Sequence, residues 1–203
     1  MGNALRQTAA GVYHLATRSS TPDFLFRDGA DRLSLIGQLE RVTLDTDWTC
    51  VAACLMGTHY HLLVDAGQNV LADAMKRINW AYALNHNRRH GRRGHRVGSR
   101  YLSINVEDEA HLLGCYRYIA WNPVEAGLCA SPEDWPRSSY GTTIGFPGAF
   151  PFVDASLVLD TLDPRRDVAL EELRGIVRTP DTWYGGSLPV TFRFDSRYDV
   201  SDS

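Results

Sequence analysis

The stretch "WTCVAACLMGTHYHLLV" (residues 48–64) decides the fold of this 203-residue chain. It holds two apolar runs separated by Gly57-Thr58, and glycine followed by a small polar residue is typical of a two-residue turn between antiparallel strands. The stretch therefore predicts a β-hairpin. Side chains alternate between the two faces of a strand, so His59 and His61 should project to the same side. Leu63 should continue that face into the core.

The histidine pair has two interpretations. Two imidazoles at this spacing can bind one metal ion, and buried histidines that each have a hydrogen-bond partner give the same pattern. The turn places His59 at the start of the second strand, near the rim of the sheet. The pair is therefore expected where the core gives way to a cleft.

The segments around the hairpin predict the order β-α-β-β-α-β-α. In chain order they are a strand at 11–17, a helix at 30–42, the hairpin, a helix at 70–87, a strand at 100–105 and a helix from about 107. The first helix has an apolar stripe at helical spacing, which consists of Leu33, Leu35, Ile36 and Leu39. The last helix should end near Asn122, because proline disfavours the helical conformation of the residue before it.

Two tyrosines of the last helix have different surroundings. Tyr116 belongs to an apolar stripe and is predicted to be a core residue. Tyr118 lies on a strip of small or polar residues that includes Asn122, which suits either the wall of a cleft or plain solvent exposure. An amide oxygen and a phenol, brought against two histidines, have the composition of a divalent-metal site beside a nucleophile.

This composition predicts a phosphoryl-transfer chemistry. Tyrosine is a poor nucleophile at its ordinary pKa of ~10, so it needs a cation that favours phenolate or stabilises the attacked phosphate. A metal held by His59 and His61 would orient a phosphodiester for attack by the Tyr118 oxygen. The product would be a covalent phosphotyrosine bond that conserves the energy of the cut strand.

The charge distribution favours a nucleic-acid partner although the net charge is −3. Residues 74–106 contain eight Lys and Arg side chains and no Asp or Glu. A basic face that binds phosphate is expected there, and a solvated loop is the alternative. The candidate DNA-binding residues are Arg88, Arg89, Arg92, Arg93, Arg96 and Arg100. After residue 150, ten acidic residues outnumber six arginines, which indicates an acidic tail.

The composition is otherwise that of an ordinary soluble protein. Hydrophobic residues make up 44% of the chain, no apolar run approaches the ~20 residues of a membrane span, and the first ten residues lack the apolar core of a secretory signal. We therefore expect a cytoplasmic location and no membrane partner. The four cysteines have no metal-binding spacing, so reduced thiols are expected.

A series of stretches, in this order and spacing, resembles the REP-associated tyrosine transposases, which are single-tyrosine transposases of the HUH endonuclease superfamily. The resemblance covers about residues 11–140. It rests on "YHLATR", "LMGTHYHLLV", "YALNHNRRHGRRG", "SRYLS", "YIAWNPVEAGL" and "PEDWPRSSY".

The resemblance implies an α+β fold, a ferredoxin-like antiparallel sheet flanked by helices, over residues 1–144. Residues 145–203 would form an acidic C-terminal extension of unknown role. The implied activity is that of a metal-dependent single-stranded DNA endonuclease and strand transferase that acts at hairpin-forming sequences with Mg²⁺ or Mn²⁺. The implied metal ligands are His59, His61 and Asn122, and the implied nucleophile is Tyr118. Bound to DNA, the protein would associate with the nucleoid, as a monomer or a homodimer.

The sequence also departs from this family. Gly57-Thr58 stands where the family usually has Pro-Asn, and Glu125 stands where it usually has arginine. The second change reverses a charge near the expected cleft, which keeps open a non-cutting, domesticated protein that binds hairpin DNA. A histidine-triad nucleotidyl hydrolase or transferase is a weaker alternative, because such enzymes need a further alternating histidine where this chain has Leu63.

Overall fold

The computed structural model describes residues 10–20, 24–68, 71–94 and 101–179. The main elements are β1 (Val12–Arg18), α1 (Gly29–Asp45), β2 (Thr49–Leu55), β3 (His59–Asp65), α2 (Leu71–Arg89), β4 (Leu102–Asn105), α3 (Glu109–Glu125), α4 (Tyr140–Thr143), α5 (Ser156–Leu162) and α6 (Arg166–Arg178). A short 3₁₀ helix, Pro132–Asp134, lies between α3 and α4. The predicted order β-α-β-β-α-β-α is confirmed from β1 to α3.

The four strands form one sheet in the order β2-β3-β1-β4, and every neighbouring pair is antiparallel. The predicted hairpin is confirmed, because Leu55 pairs with Tyr60 and the Met56 N–H donates to the His59 carbonyl at 2.9 Å. Two β-α-β units whose strands interleave in this order give the ferredoxin-like arrangement. The predicted α+β class is therefore confirmed.

The alternation of side chains along β3 separates two cores. Tyr60, Leu62 and Val64 pack with α1 and α2 on one face, whereas Leu63 packs with α3 on the other. His59 and His61 share the face of Leu63, so they lie on the side of α3. In α1, three of the four predicted stripe residues are buried, and Leu33 is instead 64% exposed.

The predicted end of α3 at Asn122 is wrong. The helix continues through Pro123 to Glu125 and ends in a Schellman motif, in which Leu128 N–H donates to the Pro123 carbonyl and Gly127 N–H to the Val124 carbonyl, both at 2.9 Å. Gly127 has the left-handed φ of +72° that this motif requires. Glycine, and not proline, therefore ends the helix.

The chain after α3 covers the outer edge of β2. Leu55 N–H donates to the Arg137 carbonyl at 2.9 Å, Ser139 N–H to the Ala53 carbonyl at 2.8 Å, and Asp154 N–H to the Cys50 carbonyl at 2.9 Å. Helices α5 and α6 then pack in the same core as α3. These hydrogen bonds satisfy an edge strand that would otherwise expose its backbone polar groups. The domain boundary between residues 144 and 145 stays a prediction.

The four cysteines are free thiols, as expected. Cys50, Cys54 and Cys115 are buried, and burial raises the pKa of Cys50 and of Cys115 to about 12. Cys129 is half-buried. Within the part of the chain that the structure describes, no helix is long and apolar enough to cross a membrane.

Candidate active site

The register of β1 and β3 gathers three histidines on one face of the sheet. Ala16 lies opposite His61, Arg18 opposite His59 and His14 opposite Leu63. Because residues at alternate positions share a face, the side chain of His14 joins those of His59 and His61. All three imidazoles are buried, with exposed fractions of 0% for His14, 2% for His59 and 0% for His61.

Helix α3 brings Tyr118 against this histidine cluster. The centroid of the Tyr118 ring lies 5.3 Å from that of His61, edge-on, and 5.6 Å from that of His14. The His59 and His61 rings are 5.0 Å apart. Two histidines and a tyrosine that are 57 to 59 positions apart in sequence thus form one group, as the sequence predicts.

Hydrogen bonds orient both histidines of the pair in the same way. The Thr58 hydroxyl oxygen lies 3.1 Å from Nδ1 of His59, and Nε2 of His14 lies 3.2 Å from Nδ1 of His61. Since Nδ1 makes these hydrogen bonds in both rings, Nε2 is the atom through which either imidazole would bind a metal. Such outer hydrogen bonds fix the ring orientation and tautomer of metal-binding histidines.

Burial favours the neutral form of two histidines of this cluster, His14 and His61. Desolvation lowers the pKa of His14 to about 3, with a smaller contribution from His111. Desolvation, followed by repulsion from His59 and His14, holds the pKa of His61 well below its usual value. A neutral imidazole presents a lone pair, so these residues suit a divalent cation that lowers the charge of a phosphodiester.

The remaining predicted residues of α3 occupy distinct environments. Asn122 lies one turn after Tyr118 and is buried, with 9% exposure, so an amide oxygen is available near the end of the same helix. Tyr116 is buried with 1% exposure, and its prediction as a core residue is confirmed. Glu125, at the last position of α3, is exposed.

The predicted DNA-binding arginines begin on the other side of the sheet, at the end of α2. Arg88, Arg89, Arg92 and Arg93 are exposed, whereas Arg96 and Arg100 lie outside the described residues. Arg89 is engaged in ion pairs with Asp28 and Asp31. The structure therefore does not bring the four described arginines against the histidine–tyrosine cluster, and DNA that touched both would have to pass around the sheet.

Two features escaped the sequence analysis. His14 was visible as a polar residue in an alternating strand, but its role depends on the pairing with β3. The second feature is a group of possible metal ligands formed by Asp31, His86 and His90. Its only local signal is the spacing of four residues between His86, in the last turn of α2, and His90, which directly follows that helix.

Fold and site together define a ferredoxin-like α+β protein in which a histidine pair on a central strand faces a tyrosine on a helix. Among solved structures, the fold is similar to that of a REP-associated tyrosine transposase bound to a REP hairpin, with a TM-score of 0.60 and 15% sequence identity. The match covers 76% of this chain and 93% of the other. The resemblance seen in the sequence is thus confirmed at the level of the fold. No protein-family model and no curated protein matches the chain.

Proposed function

We propose that this protein is a metal-dependent single-stranded DNA endonuclease and strand transferase that cuts at hairpin-forming sequences through a covalent phosphotyrosine intermediate. The observation that carries the proposal is the packing of Tyr118 against His61, beside His59. A phenol next to two imidazoles has a clear use in phosphoryl transfer. The fold shared with a transposase that was solved on a REP hairpin supports the same substrate.

The donor set fits a divalent cation. His59 and His61 would bind it through Nε2, since their Nδ1 atoms face Thr58 and His14, and the buried amide of Asn122 would supply an oxygen. Imidazole and amide ligands accept Mg²⁺ or Mn²⁺. When bound, the cation would neutralise the phosphodiester and favour the phenolate of Tyr118.

The chain's own residues perform the rest of the reaction. The Tyr118 oxygen attacks phosphorus and gives up its proton, an O–P bond to the tyrosine forms, and an O–P bond of the DNA backbone breaks. The leaving oxygen takes up a proton and becomes a hydroxyl end. Attack of a second hydroxyl end on the phosphotyrosine reverses these changes and joins the strands. The basic residues at and after the end of α2 would hold the backbone of the DNA. Such a protein acts in the cytoplasm and associates with the nucleoid when it binds DNA.

A denaturing-gel assay for a covalent protein–DNA adduct tests the proposal. The protein is incubated with labelled hairpin oligonucleotides and Mg²⁺ or Mn²⁺, or with a chelator. We expect a metal-dependent adduct that Tyr118→Phe abolishes and Tyr116→Phe preserves, because Tyr116 is a core residue two positions away. An adduct that survives Tyr118→Phe would refute the assignment of the nucleophile.

The exposed Glu125 favours a second candidate, a non-cutting protein that binds hairpin DNA. Glu125 is the last residue of α3, the helix that carries Tyr118, and its carboxylate would repel a phosphate backbone. The transposase family that the sequence resembles usually has arginine at this position. Clear hairpin binding without any adduct would support this candidate. Glu125→Arg is then the first variant to measure, and an adduct formed by it would show that one charge separates the two functions.

A further inference from the structure

Three ligand-type side chains converge on the opposite side of the sheet from the candidate active site. Asp31 lies in the first turn of α1, His86 lies in the last turn of α2, and His90 directly follows α2. His90 Nε2 is 3.0 Å from both carboxylate oxygens of Asp31, and His86 Nε2 is 3.7 Å from Oδ2. The side chains of Asp31 and His86 are 1% and 0% exposed, and that of His90 is 14% exposed.

We propose that Asp31, His86 and His90 form a second site for a divalent metal ion of the zinc type. Two ligands bound tetrahedrally at about 2.05 Å from zinc lie about 3.3 Å apart. The distances of 3.0 and 3.7 Å from Asp31 Oδ2 to the two imidazoles bracket that value. All ligand atoms of the group lie within 4.8 Å of one another. Two imidazoles and one carboxylate favour zinc over magnesium.

The surroundings of Asp31 suit a metal-binding carboxylate. Oδ2 accepts a hydrogen bond from the Arg27 backbone N–H at 2.9 Å, and Oδ1 accepts one from Arg89. Arg89 is fixed in turn by Asp28, at 2.9 Å between Nη2 and Oδ2. Outer hydrogen bonds of this kind orient metal ligands and are needed for high affinity. Oδ2 can therefore bind the ion while Oδ1 keeps its arginine.

The competing arrangement is a hydrogen-bonded network without metal. In it, His90 Nε2–H donates to Asp31, and Arg89 supplies the positive charge. The two arrangements differ in whether Nε2 of His90 carries a proton. As a metal ligand, Nε2 must present a lone pair, whereas as a hydrogen-bond donor it must carry a proton. Glutamine at position 90 can donate to Asp31 through its amide, but it is a poor zinc ligand. The His90→Gln variant therefore separates the two cases.

The site would fasten the start of α1 to the end of α2. Helices α1 and α2 already pack against each other in one core, and the ion would add a crosslink at the end where the basic residues begin. The second site is independent of the proposed function, because its ligands are on other elements and another face than His59 and His61.

Metal titration of the full chain, stripped of metal with a chelator, tests the second site. In a His59→Ala/His61→Ala background, we expect one equivalent of Co²⁺ to give the visible absorption of a four-coordinate ion and Zn²⁺ to displace it. Zinc at 100 times its Kd should raise the Tm by about 5–10 °C. His90→Gln should remove both effects, and His111→Gln, a histidine outside the group, should change neither.

A parallel titration avoids reliance on the double variant. His90→Gln alone should bind one equivalent of Co²⁺ fewer than the unaltered protein and keep its fold, since residue 90 is partly exposed. Binding to His90→Gln that equals that of the unaltered protein would overturn the inference, as would an unaltered protein without four-coordinate Co²⁺. If Co²⁺ binding disappears only when His61 is mutated, all metal binding occurs at the candidate active site. That result would also overturn the inference of a second site.

Discussion

Thr58 precedes the histidine pair, and its hydroxyl lies 3.1 Å from His59 Nδ1. Thr58→Val removes this hydrogen bond with little change in volume, so His59 is no longer held in one orientation. We expect the affinity for Mn²⁺ at the candidate active site to fall about 10–100-fold. Calorimetric titration measures the change. Thr58→Ser keeps the hydroxyl and should bind like the unaltered protein, whereas unchanged affinity in Thr58→Val would show that the hydrogen bond has no role.

His14 predicts how stability depends on pH. Its pKa is lowered to about 3 in the folded chain, against an ordinary value of 6.5. The unfolded chain therefore binds more protons between these values, and the stability that is fully present above pH 6.5 declines as pH falls toward 3. The decline for this residue is about 1.4 kcal/mol for each pH unit.

Urea unfolding of the metal-free protein at pH 7, 6 and 5 measures this dependence. His14→Gln keeps an amide that can reach His61 and removes the titrating group. We expect a shallower fall of stability with acid in that variant. A slope equal to that of the unaltered protein would mean that folding does not lower the pKa of His14.

The site residues that could be predicted from the sequence are those whose positions depend on spacing within one strand or one helix. His59 and His61 share a strand face, and Tyr118 lies off the apolar stripe of its helix. His14 is 47 positions from His61 and is placed by strand register alone. Asp31 likewise meets His86 only because α1 packs on α2. Such long-range neighbours depend on packing that no local pattern encodes.

The element that joins the candidate active site to the C-terminal region is α3. Arg117, next to Tyr118 and 6% exposed, donates through Nε to the Thr179 carbonyl at 2.8 Å and stacks on Trp121 at 5.6 Å. Thr179 directly follows α6, so the buried guanidinium of Arg117, a residue of α3, caps the C-terminal end of α6. No local pattern in the sequence reveals this partner, because Arg117 and Thr179 are 62 positions apart.

Arg117→Leu should therefore destabilise the protein. It leaves the Thr179 carbonyl without its charged donor, and we expect the free energy of unfolding to fall by about 1.5–3 kcal/mol. Denaturant unfolding measures the change. Arg166→Ala, at an exposed position of α6, should stay within about 0.5 kcal/mol of the unaltered chain. Equal stability of Arg117→Leu and the unaltered chain would show that α6 docks through its apolar residues alone.

The wrong prediction for the end of a helix also concerns α3. The rule for the residue before proline predicted an end at Asn122, whereas Gly127 provides the left-handed conformation that a Schellman motif needs. Pro123 removes one hydrogen bond from the last turns of α3, yet the helix continues, and the glycine signal four residues later decides the boundary.

At the scale of the whole molecule, the charge distribution predicts a steep salt dependence of DNA binding. Removal of one arginine that binds a phosphate should flatten the plot of log affinity against log salt by roughly 0.7. Arg92→Ala/Arg93→Ala should therefore change the slope for single-stranded DNA by roughly 1.4. Arg165→Ala/Arg166→Ala, an exposed arginine pair on the C-terminal extension, should leave it unchanged.

Fluorescence anisotropy over a range of salt concentrations measures both slopes. Arg89→Ala should have a smaller effect than either arginine of the first pair, because Asp28 and Asp31 already compensate its charge. If the slope changes more in Arg165→Ala/Arg166→Ala than in Arg92→Ala/Arg93→Ala, the DNA binds to the C-terminal extension and not to the end of α2.

The burial of three of the four thiols gives the native molecule a single labelling position. Reagents that attack thiolates will not reach Cys50, Cys54 or Cys115, whereas half-buried Cys129 stays accessible. Burial, with nearby Asp134 and Glu133, raises the pKa of Cys129, so labelling calls for mildly alkaline solution. A fluorophore attached there sits just beyond the end of α3, where it would report binding of the proposed DNA hairpin without any substitution in the chain.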